Sequence, residues 1–161
     1  MPPDPEIFAL ATQVGERLRK LRRSLAVAES CTGGLLGAAL TDVPGSSAYF
    51  LGGVISYADQ VKLDQLGVTQ DTLRRYGAVS EQTAAAMASG VRQLLRADVG
   101  VSITGVAGPD AEGPKQVGLT FIGIAAAVST TQRFQWTGDR WDNRRRSVIA
   151  ALELLVRAPE L

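Results

Sequence analysis

The chain has 161 residues, of which 45% are hydrophobic, with one cysteine, no histidine and a net charge of +1. This composition predicts one globular domain over 1–161 and excludes a disordered or disulfide-stapled chain. The small charge argues against nucleic-acid binding, and the lack of histidine excludes Ser-His-Asp catalysis and His-ligated metal sites. No apolar run approaches the roughly 20 residues that cross a bilayer, so we expect a cytoplasmic protein with no membrane partner.

The first half of the chain alternates helix and strand patterns. Asp4 and Pro5 predict the start of an amphipathic helix. Its apolar positions recur at helical spacing: Ile7, Ala11, Val14, Leu18 and Leu21. A buried strand is predicted over 25–28, a helix over 35–40 and a second strand over 50–58. Short helices over 59–66 and 70–76 should end at the glycines that follow them.

In the second half, Ser80 predicts the cap of a longer helix. The apolar positions expected on its inner face are Ala84, Met87, Ala88, Val91, Leu94 and Leu95. Strands are predicted over 98–104, 117–128 and 131–137, the last two as an antiparallel hairpin, and Asp139 caps a final helix. Interleaved helices and strands predict an α/β fold, a single-domain layered sandwich whose mixed, mostly parallel sheet is flanked by helices.

The turn over residues 29–34 joins the first strand to the second helix and carries a candidate nucleophile. Ser30 would lie at the strand's end, beside a helix N-terminus. We expect Gly33 and Gly34 to leave N–H groups free for an oxyanion or a phosphate, and Thr32 adds a hydroxyl. Cys31 is the alternative nucleophile, but alternation places it on the other side of the turn and lone cysteines are usually core residues. A plain helix cap is the competing interpretation of Ser30.

Tyr57 and Lys62 are candidates for activating that serine. Tyr57 lies at the end of the second strand and Lys62 in the helix that follows. A lysine acts as a base only when it is neutral, which requires desolvation or a nearby positive charge. Because Lys62 follows Asp59 by three residues, an ordinary surface ion pair is the competing interpretation, and local spacing favours it slightly.

Two further segments could bind a ligand. Thr104 and Gly105 end a strand at the sheet edge where α/β proteins bind ligands, although the segment matches no phosphate-binding motif and could be a plain turn. Arg140 opposes the dipole of the final helix, which favours an anionic partner. For the arginines at 144–146, a solvent-exposed helix face is at least as good an interpretation as a site for an anionic partner.

Seven segments, together with Lys62, recur in one order over nearly the whole chain: 28–34, 41–47, 52–57, 66–68, 76–81, 104–109 and 138–140. They resemble the CinA C-terminal domain family, whose stand-alone members are nicotinamide-nucleotide amidases. The resemblance implies deamidation of nicotinamide mononucleotide, a pyridine nucleotide, to nicotinate mononucleotide and ammonia. It also implies that Ser30 is the nucleophile, that Tyr57 and Lys62 handle protons, and that no metal or organic cofactor takes part.

Substrate binding is assigned to residues of three segments: Cys31, Thr32, Gly33, Gly34, Thr104, Gly105 and Arg140. The N–H groups of residues 31–33 are expected to hold the oxyanion, and the glycine loop near Gly105 or Arg140 the phosphate. Two departures from the family pattern bear on this. Asp59 stands where many members have asparagine, and a carboxylate there favours a charged Lys62. The loop over 110–116 also looks shorter than in many relatives.

One alternative function stays open. A catalytically silent nucleotide- or partner-binding module of the same fold would bind a ligand tightly without releasing ammonia. A DNA-associated role finds no support in a charge of +1. A homodimer is expected, because small α/β enzymes commonly pair through symmetric patches.

Overall fold

One mixed sheet organises the fold in the computed structural model, which describes residues 2–161. Its strands are β1 (Leu25–Glu29), β2 (Phe50–Ile55), β3 (Val99–Gly105), β4 (Leu119–Ala125) and β5 (Thr130–Gln135). They lie in the order β2-β1-β3-β4-β5. β1 is parallel to β2 and β3, whereas β4 is antiparallel to β3 and β5, so β4 alone of these strands is reversed. The predicted α/β class with a mixed sheet flanked by helices is confirmed.

Helices cover both faces of the sheet. They are α1 (Pro5–Leu21), α2 (Leu35–Thr41), α3 (Asp59–Leu66), α4 (Gln70–Tyr76), α5 (Glu81–Leu94) and α6 (Arg140–Arg157). The larger apolar core joins α1, α2 and α6 to one face. A second core joins α3 and α5 to the other face, around Ala26 and Ala28 of β1. Within residues 2–161, none of the helices combines the length and apolarity needed to cross a membrane.

Glycines let α5 approach the sheet and α3 closely. A β-carbon on Gly100 of β3 would overlap the carbonyl oxygen of Ala88 in α5. A β-carbon on Gly90 of α5 would overlap the carbonyl oxygen of Leu66 in α3. The backbone of α3 therefore rests directly on α5, and this contact sets the position of the side chains that α3 carries.

Several predicted details are corrected by the structure. Leu21 and Leu94, expected on inner faces, are 43% and 47% exposed, because each is the last residue of its helix and lies beyond the buried stripe. β2 ends at Ile55 instead of residue 58, and β4 covers 119–125 instead of 117–128. In both strands the apolar pattern continues past the last residue that pairs with a neighbouring strand.

Candidate active site

The carboxyl ends of β1, β2 and β3 meet at one edge of the sheet because these strands are parallel. A cavity of about 210 Å³ opens there. Its lining includes seven predicted site residues: Ser30, Cys31, Tyr57, Lys62, Thr104, Gly105 and Arg140. Asp59, Glu112 and the short apolar side chains of Ala78, Val79 and Ala107 complete the lining. Thr32, Gly33 and Gly34, also predicted to bind substrate, do not line this cavity.

Lys62 contacts Ser30 inside this cavity. Its side chain is 1% exposed, and its Nζ lies 3.1 Å from the Oγ of Ser30. The same Nζ donates to the carbonyl oxygens of Ser56 at 2.6 Å and Tyr57 at 3.3 Å. The interpretation of Lys62 as an ordinary surface lysine is therefore wrong, because the packing of α3 buries its whole side chain.

Two opposing effects act on the charge of Lys62. Burial lowers the pKa of Lys62, because a desolvated ammonium is less stable than a neutral amine. The carboxylate of Asp59, with Oδ1 3.8 Å from Nζ, raises that pKa, as does Glu112 to a smaller extent. Burial is the larger effect, so the pKa of Lys62 lies below that of a free lysine. Asp59 is mostly exposed, and solvent screens its contribution.

Tyr57 stands at the mouth of the cavity. Its side chain is 61% exposed, and its hydroxyl accepts a hydrogen bond from Arg140 Nη2 at 3.3 Å. The Nη1 of Arg140 donates to the carbonyl oxygen of Gly108 at 2.5 Å. Tyr57 thus meets Lys62 through its main-chain carbonyl, while its phenol contacts Arg140. Arg140 joins the start of α6 to the glycine loop after β3.

Glu29 occupies the N-terminus of α2, a role that the sequence did not reveal. Its buried carboxylate accepts hydrogen bonds from the Thr32 hydroxyl at 2.6 Å and from the N–H group of Gly34 at 3.2 Å. It also accepts from the N–H groups of residues 36 and 37. The N–H of Gly33 donates to the carbonyl oxygen of Ser30 at 3.1 Å. The expectation that Gly33 and Gly34 offer free N–H groups is wrong, because the protein's own acceptors use them.

Cys31 lines the same cavity as Ser30, contrary to the expected opposite orientation. The alternation argument assumed an extended backbone, whereas residues 31–34 form turns. Cys31 is 7% exposed, and burial raises the pKa of its thiol to about 12. At neutral pH this thiol is protonated and a poor nucleophile.

Thr104 and the loop after β3 form another part of the cavity wall. The buried hydroxyl of Thr104 donates to the carbonyl oxygen of Ala78 at 2.7 Å, so its proton is already used. Asn143 of α6, 2% exposed, holds the loop by donating to the carbonyl oxygen of Ala107 at 3.1 Å. Gly105 has no room for a side chain, since a β-carbon would lie 3.2 Å from Cys31 Sγ and 2.7 Å from Thr120 Oγ1.

Sequence reasoning missed the polar groups that support the site. Glu29, Asn143 and Arg144 each bind main-chain groups in or beside the cavity wall, from residues that lie 5 to 113 positions away in the chain. One local signal was present: α2 begins after Gly34, with no side-chain cap and no acidic residue in its first turn. A short helix with no cap of its own, preceded by a glutamate at the end of a buried strand, indicates capping by that glutamate.

Comparison with known proteins places this arrangement in a family. The family model described as the CinA C-terminal domain matches residues 7–158. The chain belongs to this family. A curated relative from Halothermothrix orenii is 49% identical over 152 residues, which are 92% of this chain and 37% of the relative. The CinA-like protein of Thermotoga maritima is 47% identical over 139 residues, 86% of this chain and 34% of the relative. The chain therefore spans about a third of the length of these curated relatives.

Solved structures of CinA superfamily proteins share the whole fold. The competence/damage inducible protein CihA from Agrobacterium tumefaciens superposes with a TM-score of 0.93 at 37% identity, covering 97% of this chain and 98% of that one. A CinA superfamily protein from Escherichia coli superposes with a TM-score of 0.91 at 33% identity, covering 97% of this chain and 92% of that one.

Within residues 2–161, no group of three or more His, Cys, Asp or Glu side chains is placed to hold a metal ion.

Proposed function

We propose that this CinA-domain chain is an amidase that converts nicotinamide mononucleotide into nicotinate mononucleotide and ammonia. One observation carries the proposal: a buried lysine, its pKa lowered by desolvation, lies 3.1 Å from a serine hydroxyl at the end of a central strand. That pair supplies a nucleophile and a base in a chain that has no histidine. The choice of substrate comes from the resemblance to nicotinamide-nucleotide amidases.

A neutral amine at Lys62 can make the same three contacts as an ammonium that donates to all three oxygens. A neutral amine has two N–H groups and one lone pair. The two N–H groups would donate to the carbonyl oxygens of Ser56 and Tyr57, and the lone pair would accept the proton of Ser30. Ser30 Oγ then bonds to the carboxamide carbon, and Lys62 holds the serine proton as an ammonium. When the C–N bond breaks, that proton passes to the leaving nitrogen and ammonia departs. Water hydrolyses the acyl-enzyme, and the carboxylate product leaves.

The rest of the cavity offers partners for the charged parts of this reaction. The N–H group of Cys31, a residue that lines the cavity, has no oxygen acceptor within residues 2–161, so we assign the oxyanion to it. Arg140 and the loop at Gly105 are assigned to the substrate phosphate, because Arg140 reaches the cavity beside the Tyr57 hydroxyl. Tyr57 is proposed to assist proton transfer from the mouth of the cavity.

Ammonia release from nicotinamide mononucleotide, measured with purified protein, tests the proposal. We expect Ser30→Ala and Lys62→Met each to reduce kcat by at least about a thousandfold, since both act in the bond-making step. Ser89→Ala and Lys20→Met change the same residue types at sites outside the cavity and should keep full activity. Activity retained in Ser30→Ala would contradict the assigned nucleophile.

A binding module without turnover is the second candidate, and Asp59 is the observation that favours it. The carboxylate of Asp59 stabilises the ammonium form of Lys62, the form that cannot accept a proton. Calorimetric binding of nicotinamide mononucleotide by well-folded protein that releases no ammonia would support this candidate and contradict the amidase.

The proposal extends to the protein's setting. We propose that it serves pyridine nucleotide salvage in the cytoplasm as a homodimer, without a cofactor and without a membrane or nucleic-acid partner. Light scattering during size-exclusion chromatography tests the dimer. Retention on immobilised DNA at low salt tests whether the protein binds nucleic acid. We expect no retention at a net charge of +1.

A further inference from the structure

Arg144 reaches from the second turn of α6 to the turn that carries Ser30. Its Nε donates to the carbonyl oxygen of Cys31 at 3.1 Å, and its Nη2 donates to that of Thr32 at 3.0 Å. The next two arginines pair with carboxylates instead, Arg145 with those of Asp4 and Glu6 and Arg146 with that of Asp142. Arg144 is therefore committed to the main chain of the site, and its interpretation as part of a solvated face is wrong.

These two hydrogen bonds fix the orientation of two consecutive peptide groups. In a trans peptide the C=O and N–H bonds point in opposite directions, and the peptides here are trans. Because the carbonyl of Cys31 is turned toward Arg144, the N–H of Thr32 is turned away from it. The carbonyl of Thr32 is held likewise, and the N–H of Gly33 in the same peptide donates to the carbonyl oxygen of Ser30.

The N–H group of Thr32 is left without an oxygen acceptor within residues 2–161, although Thr32 is fully buried. Buried N–H groups without a partner are rare in folded proteins. Because Thr32 does not line the cavity, the amide placed to stabilise the negative oxygen of a tetrahedral intermediate is that of Cys31, next to the nucleophile in the turn that Arg144 holds. The charge of Arg144 also acts on this turn, since it opposes the rise in the pKa of the Cys31 thiol.

We infer that Arg144 is a positioning residue for the chemistry at Ser30. By holding the carbonyls of Cys31 and Thr32, it fixes the turn that follows Ser30 and so keeps the Ser30 hydroxyl and the N–H group of Cys31 in place at the cavity. This inference rests on the proposed function. Glu29 and Arg144 then have complementary tasks, since Glu29 binds the N–H groups at the start of α2 and Arg144 binds the carbonyls just before them.

The kinetics of Arg144 variants test the inference. We expect Arg144→Ala to lower kcat by about a hundredfold, the usual cost of losing one oxyanion contact, and to change KM by less than about threefold. Arg144→Lys keeps the charge but loses the two-pronged geometry, and we expect a loss of about tenfold. Arg146→Ala removes a neighbouring arginine whose only polar partner within residues 2–161 is Asp142, and it should match the parent protein. Millimolar guanidinium should restore activity to Arg144→Ala and leave Arg144→Lys unchanged.

Labelling by an aryl fluorophosphonate separates this inference from the choice of substrate. The reagent phosphonylates an activated serine and places an oxygen where the oxyanion forms, and it requires no nucleotide. We expect labelling at Ser30 in the parent protein, none in Ser30→Ala, and slow labelling in Arg144→Ala. A parent protein that is labelled but does not hydrolyse nicotinamide mononucleotide would overturn the proposed substrate. The role of Arg144 would then be judged by comparing the rates at which Ser30 is labelled in Arg144→Ala and in the parent.

Three outcomes would overturn the inference. The first is Arg144→Ala with kcat and labelling rate within about threefold of the parent, and the second is a defect confined to KM. The third is a Ser30 that is unreactive in both assays in the parent protein, which would overturn the proposed function as well. If Arg144→Ala does not fold, as judged by circular dichroism, the Lys variant decides by the same criteria.

Discussion

The carboxylate of Asp59 and the burial of Lys62 shift the pKa of the Lys62 amine in opposite directions. In Asp59→Asn the pKa of Lys62 falls further, so a larger fraction of the amine is neutral at any pH below that pKa. We expect the acidic limb of the kcat/KM profile for nicotinamide mononucleotide to move to lower pH. Activity on that limb should rise by roughly two- to fivefold, because exposed ion pairs contribute at most about 1 kcal/mol.

A pH series of ammonia release checks this prediction. Gln60→Ala changes the neighbouring exposed residue and should leave the profile in place. Glu112, Arg140 and Cys31 also face the cavity and remain in both variants, so a shift is attributable to Asp59. An unmoved acidic limb in Asp59→Asn would show that Lys62 is not the group that titrates there.

Cys31 is expected to be dispensable for the chemistry, although it adjoins Ser30. Its thiol has a pKa of about 12 and is buried, so thiolate is scarce at neutral pH. We expect Cys31→Ala to keep kcat/KM within about threefold of the parent, and iodoacetamide to leave the parent protein active. Loss of activity on alkylation, with Ser30→Ala still active, would transfer the role of nucleophile to Cys31.

Among the helices, α1 covers the buried side chain of Tyr49. Tyr49 is 1% exposed, its ring end lies against Gly15 of α1, and its hydroxyl has no hydrogen-bond partner among the described residues. Tyr49→Phe removes a desolvated polar group and should leave the free energy of unfolding unchanged or raise it by up to about 1 kcal/mol. Urea denaturation measures this, with Tyr76→Phe as an exposed control. A loss of stability would reveal a polar partner for this hydroxyl.

The local sequence predicted where some helices begin and end, but it did not predict where the strands end. α3 and α4 match their predicted ranges because Gly67 and Gly77 end them. β2 was predicted too long because an apolar pattern does not show where pairing stops. The carbonyls of Ser56 and Tyr57, inside the predicted strand, bond to Lys62 instead of another strand. Local sequence indicated Ser30, Tyr57 and Lys62 as candidates, but the catalytic role of Lys62 came from the family resemblance, since local spacing alone favoured a surface pair of Lys62 with Asp59.

At the scale of the molecule, the contact between α5 and α3 links stability to the site. Gly90→Ala would force the backbone of α3 away at Leu66, one turn after Lys62. We expect unfolding to become easier by about 1–3 kcal/mol, the usual cost of overpacking, and kcat to fall in protein that is still folded. Thermal denaturation and ammonia release measure the two effects. Ser89→Ala adds no group at this contact and serves as the control; equal behaviour of the two variants would contradict the prediction.

The proposed nucleophile and the proposed base follow strands of the sheet that differ in how firmly they are held. Ser30 follows β1, which has strands on both sides, whereas Lys62 follows β2, the strand at the margin. A transient detachment of that margin withdraws the amine and leaves the serine in place but inert. Hydrolysis should therefore cease at a urea concentration at which most of the helix signal persists. With Ser30 and Lys62 in their proposed roles, the rate of hydrolysis would report how firmly β2 is attached to the sheet, and evolution or engineering for activity would act first on that attachment.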